Sequence, residues 1–171
     1  MLEDSLTLYK LMVLHMLSRV QFPLTTAQIS SFMLDQEYTD YLTLQQIFSE
    51  LDEAGMIRRS TVHNRTLLHL TEEGRSTLQY FGSRISDATK EDIDLFLREN
   101  EMTLRNEVSV QADYYKATSG EYEARLLAKD RGINLIELTL SVPTKEIAAA
   151  VCDHWQSRNQ EIYKYIVQQL F

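Results

Sequence analysis

The sequence is poor in residues that staple, break or hide a chain. Of its 171 residues one is cysteine, two are proline and five are glycine. A single cysteine excludes a disulfide framework. Cys152 lies in the apolar run IAAAVCDHW, with no Cys/His pair or electropositive neighbourhood around it, and reads as a buried thiol in a reducing compartment. Long hydrophobic runs are also missing, and none approaches the roughly 20 residues of a membrane span. The apolar start MLEDSLTLYKLMVLHML carries Glu3, Asp4 and Lys10, and lacks the basic front and cleavage site of a signal peptide. A cytoplasmic protein without a membrane partner is expected. Low glycine and proline, with Tyr, Phe and Leu throughout, argue against disorder.

Positive charge is scarce: 17 Lys and Arg stand against 25 Asp and Glu, a formal net charge of -8. That balance argues against nonspecific nucleic-acid binding by the whole surface, so any DNA contact must come from a local patch. Catalytic signatures are absent too. His15, His63, His69 and His154 have no metal-ligand spacing, no phosphate-cradling glycine loop occurs, and no nucleophile sits beside a base. Glu72 and Glu73 are paired carboxylates, but at a helix start they read as capping charge. The expectation is a protein that is not an enzyme, with no catalytic residue, metal or cofactor.

What is there is a strong pattern of periods. Residues 5–17 carry Leu6, Tyr9, Val13 and Leu17 against Leu8, Met12 and Met16, a helix buried on most sides, in which His15 reads as a core or boundary histidine. A second helix starts near Thr26: Thr25 and Gln28 have capping-box spacing, and Leu24 and Ile29 that of the hydrophobic staple. A third has two candidate caps, Asp40 and Thr43, a core stripe of Leu44, Ile47, Phe48 and Leu51, and a stop at Gly55. The strands MIRRSTV and TLLHL then form a hairpin around His63, Asn64 and Arg65, and Thr71 caps a fourth helix. Helix, helix, turn, helix, ribbon, helix is the order of a winged helix-turn-helix.

Two strings make the reading more specific. SELDEAGMI, from Ser49, is similar to the end of a recognition helix running into a first wing strand. LLHLTEEGRSTL, from Leu67, resembles the second wing strand and following helix of PadR-like and MarR-like regulators. Over its whole length the chain resembles the Firmicutes family called domain of unknown function 4364, through FPLTTAQI, YLTLQQ, LRNEVSVQADYY and IELTLSVPT. The first resemblance implies DNA binding; the second implies a fold and a bacterial cytoplasmic setting, with no established activity.

The second half differs in kind. Ser86 opens a helical pattern with Ile93, Leu95, Phe96, Leu97 and Leu104, and from Val108 the period becomes two. Strands over Val108–Tyr115, from Tyr122, and over Ile136–Val142 form a three-stranded antiparallel sheet. Thr144 to Phe171 then forms a long closing helix with two apolar stripes. One holds Ile147, Val151, Trp155, Ile162 and Ile166; the other holds Ala148, Cys152, Tyr163, Val167 and Leu170. The expected fold is therefore α+β, with a winged helix-turn-helix over 1–85 and an α-β-β-β-α dimerisation or sensory domain over 86–171. One stripe would cover the sheet. The other, with Tyr163, Val167, Leu170 and Phe171, would meet a second copy in a homodimer.

For double-stranded DNA, Thr43, Gln45, Gln46 and Ser49 face outward on the third helix and are candidates for reading base edges. Arg58, Arg59 and Arg65, with His63 and Asn64 at the ribbon tip, are candidates for holding phosphate or the adjacent minor groove. The third helix has no Lys or Arg, and Glu37, Asp40 and Glu50 lie nearby. The alternative is a winged-helix module that contacts another protein through the same surfaces. Neither a small-molecule effector nor a DNA sequence is written in the chain.

Overall fold

A computed structural model describes residues 2–62 and 65–171. Among these, six α-helices and two three-stranded antiparallel sheets make an α+β protein. Two compact units divide it, Met1–Leu104 and Arg105–Phe171.

In the first unit, α1 (Leu2–Ser18) is the hub: Leu11, Met12, Val13, Leu14, Met16 and Leu17 are all buried. A helix apolar on nearly every side needs partners all round it. They are α3 (Tyr41–Glu53), α4 (Glu72–Phe81) and the sheet, and Ile29, Phe32 and Met33 of α2 (Thr26–Asp35) join Leu44, Ile47, Phe48, Leu51, Ile57 and Leu68 in the same core. The sheet has the order β1-β3-β2, from β1 (Leu24–Thr25), β2 (Ile57–Val62) and β3 (Arg65–Leu70). The two-residue β1, pairing Leu24 with Leu68 and Thr25 with Leu67, is additional to the expected ribbon.

The cap at Thr25 forms as its spacing demands. Its hydroxyl accepts from the Gln28 amide at 3.0 Å, and Gln28 Oε1 accepts from the Thr25 amide at 2.9 Å. Gln28 then spends its own Nε2 on the carbonyl of Leu104 at 3.1 Å, so this buried side chain ties α2 to the helix that follows the ribbon domain. That helix, α5 (Asp87–Ser109), comes after α4 (Glu72–Phe81), and it supplies Ile93, Leu97 and Leu104 to the first core. The sequence reading divides the chain after Ile85; the compact units divide inside α5, because its apolar face completes the first core.

Helices α2 and α3 are joined by a turn that closes in the Schellman pattern. Glu37 takes the left-handed conformation (φ 56°), its amide bonds the carbonyl of Leu34, and the Tyr38 amide bonds that of Met33. The same device ends α3 at Gly55 (φ 69°), where the Met56 amide reaches the Leu51 carbonyl at 2.9 Å.

In the second unit, β4 (Val110–Lys116), β5 (Tyr122–Asp130) and β6 (Ile133–Val142) run in that order across the sheet, and α6 (Lys145–Leu170) packs on one face. Two boundaries move from their expected places. Val108 belongs to α5, since a residue four after the buried Leu104 satisfies a helix as well as a strand. Strand β6 starts at Ile133, because Arg131 and Gly132, both with positive φ, make the turn in two residues. The two stripes expected on the closing helix merge into one. Ala148 and Trp155 are buried, and Val151, Cys152 and Ile162 pack with Trp155 against Val110, Ala112, Ile136 and Leu138, while Ile147 is exposed. The Trp155 indole donates to the Leu127 carbonyl at 3.1 Å. Of the residues expected to meet a second copy, Tyr163 and Val167 are half-buried, and Leu170 and Phe171 are exposed.

Candidate nucleic-acid interface

The candidate residues of α3 sit on its solvent side because Leu44, Ile47, Phe48 and Leu51 turn the other side into the core. Asp40, not Thr43, is the N-cap. Its carboxylate accepts from the Thr43 amide at 2.9 Å and from the Thr43 hydroxyl at 2.8 Å, and these two bonds hold the carboxyl below its usual pKa. Thr43 is thereby committed to its own helix end. Gln45 is half-buried, and its amide makes no hydrogen bond among the described residues. Gln46 is exposed and donates to Glu50 at 2.7 Å, and Glu50 is ion-paired with Lys10 of α1 at 2.5 Å. Both donors hold the Glu50 carboxyl below its usual range, with Lys10 the larger cause.

Capping at Asp40 has a second effect. It adds Tyr41 and Leu42 to the first turn of α3, where they are 58% and 78% exposed. The sequence reading, which leaves Asp40 and Thr43 both open as caps, assigns these two residues no role.

The ribbon is not uniformly basic on one face. Arg58 pairs with His69 and Arg59 with Leu68 across the β2–β3 ladder, so the two arginines point to opposite sides. Arg59 lies against α3, where Nη2 donates to the Ser49 hydroxyl at 3.4 Å and Nε lies 3.7 Å from Asp52 Oδ2. Arg58 is exposed and makes no ion pair among the described residues; Arg65, opposite Val62 on the same side as Arg58, is also exposed. Ser60 and His69 share a hydrogen bond at 2.9 Å on that side. His63 and Asn64 lie outside the described residues.

The geometry therefore brings Ser49 and Arg59 together and sets them beside Gln45 and Gln46, with Arg58 and Arg65 on the other side of the ribbon. For covalent chemistry it offers little. The Cys152 thiol is pushed up in pKa by burial, and further by Asp113 and Asp153, the opposite of nucleophile activation. Among the described residues no group of three or more His, Cys, Asp or Glu is placed to hold a metal ion, and no helix is long and apolar enough to cross a membrane.

Compared with family models, residues 9–170 match the one described as Domain of unknown function (DUF4364). The chain belongs to the DUF4364 family. Its match spans both compact units, so the ribbon domain and the sheet with its long helix are parts of one DUF4364 pattern. Neither the curated proteins nor the solved structures contain a significant match.

Proposed function

We propose that the first unit is a PadR/MarR-like winged helix-turn-helix that binds duplex DNA as part of a transcriptional regulator. α3 is its recognition helix and the β2–β3 ribbon its wing. The observation that carries this reading is the clasp between Arg59 and α3: a cationic side chain from the ribbon sits beside an uncharged hydrogen-bonding row, Gln45, Gln46 and Ser49. Phosphate contacts position a protein on DNA, and base contacts give it sequence. Both kinds of group are presented together.

Gln45 is the first candidate for reading adenine, because its amide has no bond to surrender. Gln46 must exchange its bond to Glu50, a net loss of about 0.5–1.5 kcal/mol, for a bidentate base contact worth about 1–3 kcal/mol. The exchange is affordable. Selection of bound duplexes from a random pool should return a defined motif. Gln45→Ala should then cost roughly 1–3 kcal/mol on that motif and relax discrimination at one or two base pairs. A pool that stays random after repeated rounds would defeat the proposal.

A second reading has its own observation. Tyr41 and Leu42 protrude from the helix tip, and the same helix carries Glu50, Asp52 and Glu53 without a basic residue. That is the surface of a module that docks on a basic, apolar partner protein. Tyr41→Ala with Leu42→Ala separates the readings: it should abolish such docking and leave the DNA salt dependence unchanged. We further propose that the regulator acts as a homodimer through the second unit, with Tyr163, Val167 and Leu170 of α6 and the following Phe171 contacting a second copy. Two-fold symmetry would serve a palindromic site.

A further inference from the structure

Over Ile136–Val142, strand β6 is an edge that lacks the usual protection against pairing. Edge strands are normally kept apart by charges, proline, bulges or shortness. At the opposite edge, β4 has seven residues and carries Asp113 and Lys116. Strand β6 has ten residues, one charge (Glu137) and no proline within it. Its middle pairs with β5 in unbroken register from Ile136↔Ala128 to Val142↔Tyr122. The register breaks only on the far side of Ile136, where Leu135 is the extra residue of a bulge, and Pro143, which has no amide to donate, follows Val142. A regular segment, Ile136–Val142, is thus closed at both ends, and Thr139 is its midpoint.

We propose that this edge pairs antiparallel with β6 of a second copy about a two-fold axis at Thr139, giving a six-stranded sheet. The occupant follows from how the segment fits itself. An axis at Thr139 sets Ile136 against Val142, Leu138 against Leu140, and Glu137, which Arg125 neutralises at 2.9 Å, against the uncharged Ser141, so no like charges meet. All seven residues are paired. An axis at Glu137 would oppose two carboxylates, which is destabilising. One at Leu138 would run the pairing into the bulge. An odd shift would set the apolar row against the polar one. The apolar row, Ile136, Leu138, Leu140 and Val142, lies on the α6 side, where Ile136 and Leu138 already pack with Trp155; Leu140 is 41% exposed and awaits a neighbour. The inference does not depend on DNA binding.

The test is sedimentation of the full chain at micromolar concentration, alone and as charge variants. The parent should run at twice 19.9 kDa. Thr139→Glu and Thr139→Lys each place like charges across the axis and should raise the dissociation constant about tenfold or more. Mixed together they should recover a dimer containing one of each, which also shows that both are folded. A monomeric parent, either variant dimerising as tightly as the parent, or a mixture that stays monomeric would overturn the proposal. So would a dimer that yields to Leu170→Glu but not to Thr139→Glu, because α6 alone would then carry the interface.

Discussion

Both sheets have three antiparallel strands, yet their outer edges are opposites. The outer strand of the first, β2, carries Arg58 and Arg59 and is engaged by α3 through Arg59. The outer strand of the second, β6, carries four branched apolar side chains on one face and a single carboxylate on the other. A cationic edge repels another strand of its own kind and suits a polyanion; an apolar edge with matching hydroxyls suits a second strand. Core size differs in the same direction. Among the described residues, twenty buried side chains form the core of the first unit, whereas Leu126, Ala128 and Trp155 are the buried centre of the second.

That contrast can be broken by mutation. Trp155→Ala should have the largest effect, about 3–5 kcal/mol, because it empties the centre of the smaller core and removes the indole bond to the Leu127 carbonyl. Hydrogen exchange should show lost protection across β4–β6 with α3 still protected. Gly74→Ala comes next. Helix propensity alone would add about 1 kcal/mol, but the new Cβ would lie 2.1 Å from the Met56 carbonyl oxygen, so a net loss of about 1–3 kcal/mol is expected in urea unfolding. Thr25→Ala removes one half of the reciprocal cap and should cost about 1 kcal/mol by the same measurement.

The smallest effect concerns pH. Burial lowers the pKa of His15 from 6.5, against the pull of Asp94, and its Nε2 is buried without a partner. The unfolded chain takes up this proton more readily than the folded one, so stability is full above pH 6.5 and falls as the pH drops below it. His15→Gln should flatten that part of the urea midpoint profile; a profile with the parent's slope would assign the loss to other groups.

Much of this was legible in the sequence because local rules and tertiary demands agreed. Thr25 and Gln28, the Leu44–Leu51 stripe, Gly55 and Thr71 all mark helix ends or faces that the fold uses as written. What could not be read depended on longer-range geometry. A two-residue β1 has no period, and it exists only because β3 offers Leu67 and Leu68 as partners. Glu37 adopts a conformation that nothing in a glutamate announces. The two candidate caps of α3 were equivalent on paper, and choosing Asp40 is what brings out Tyr41 and Leu42. Strand alternation implies that Arg58 and Arg59 diverge, although side by side in a linear sequence they read as one basic patch.

The most direct test of DNA binding is the salt dependence of affinity for a duplex, measured for the parent and for Arg58→Ala. Arg58 is exposed and has no ion pair within the described chain, so its removal should barely affect folding. If the ribbon holds phosphate through it, Arg58→Ala weakens binding to all duplex sequences alike and lowers the slope of log affinity against log salt by about one. If instead Arg58→Ala, and then the combined replacement of Arg58, Arg59 and Arg65, leave affinity unchanged at every salt concentration, the basic ribbon is edge protection and the DNA-binding account is contradicted.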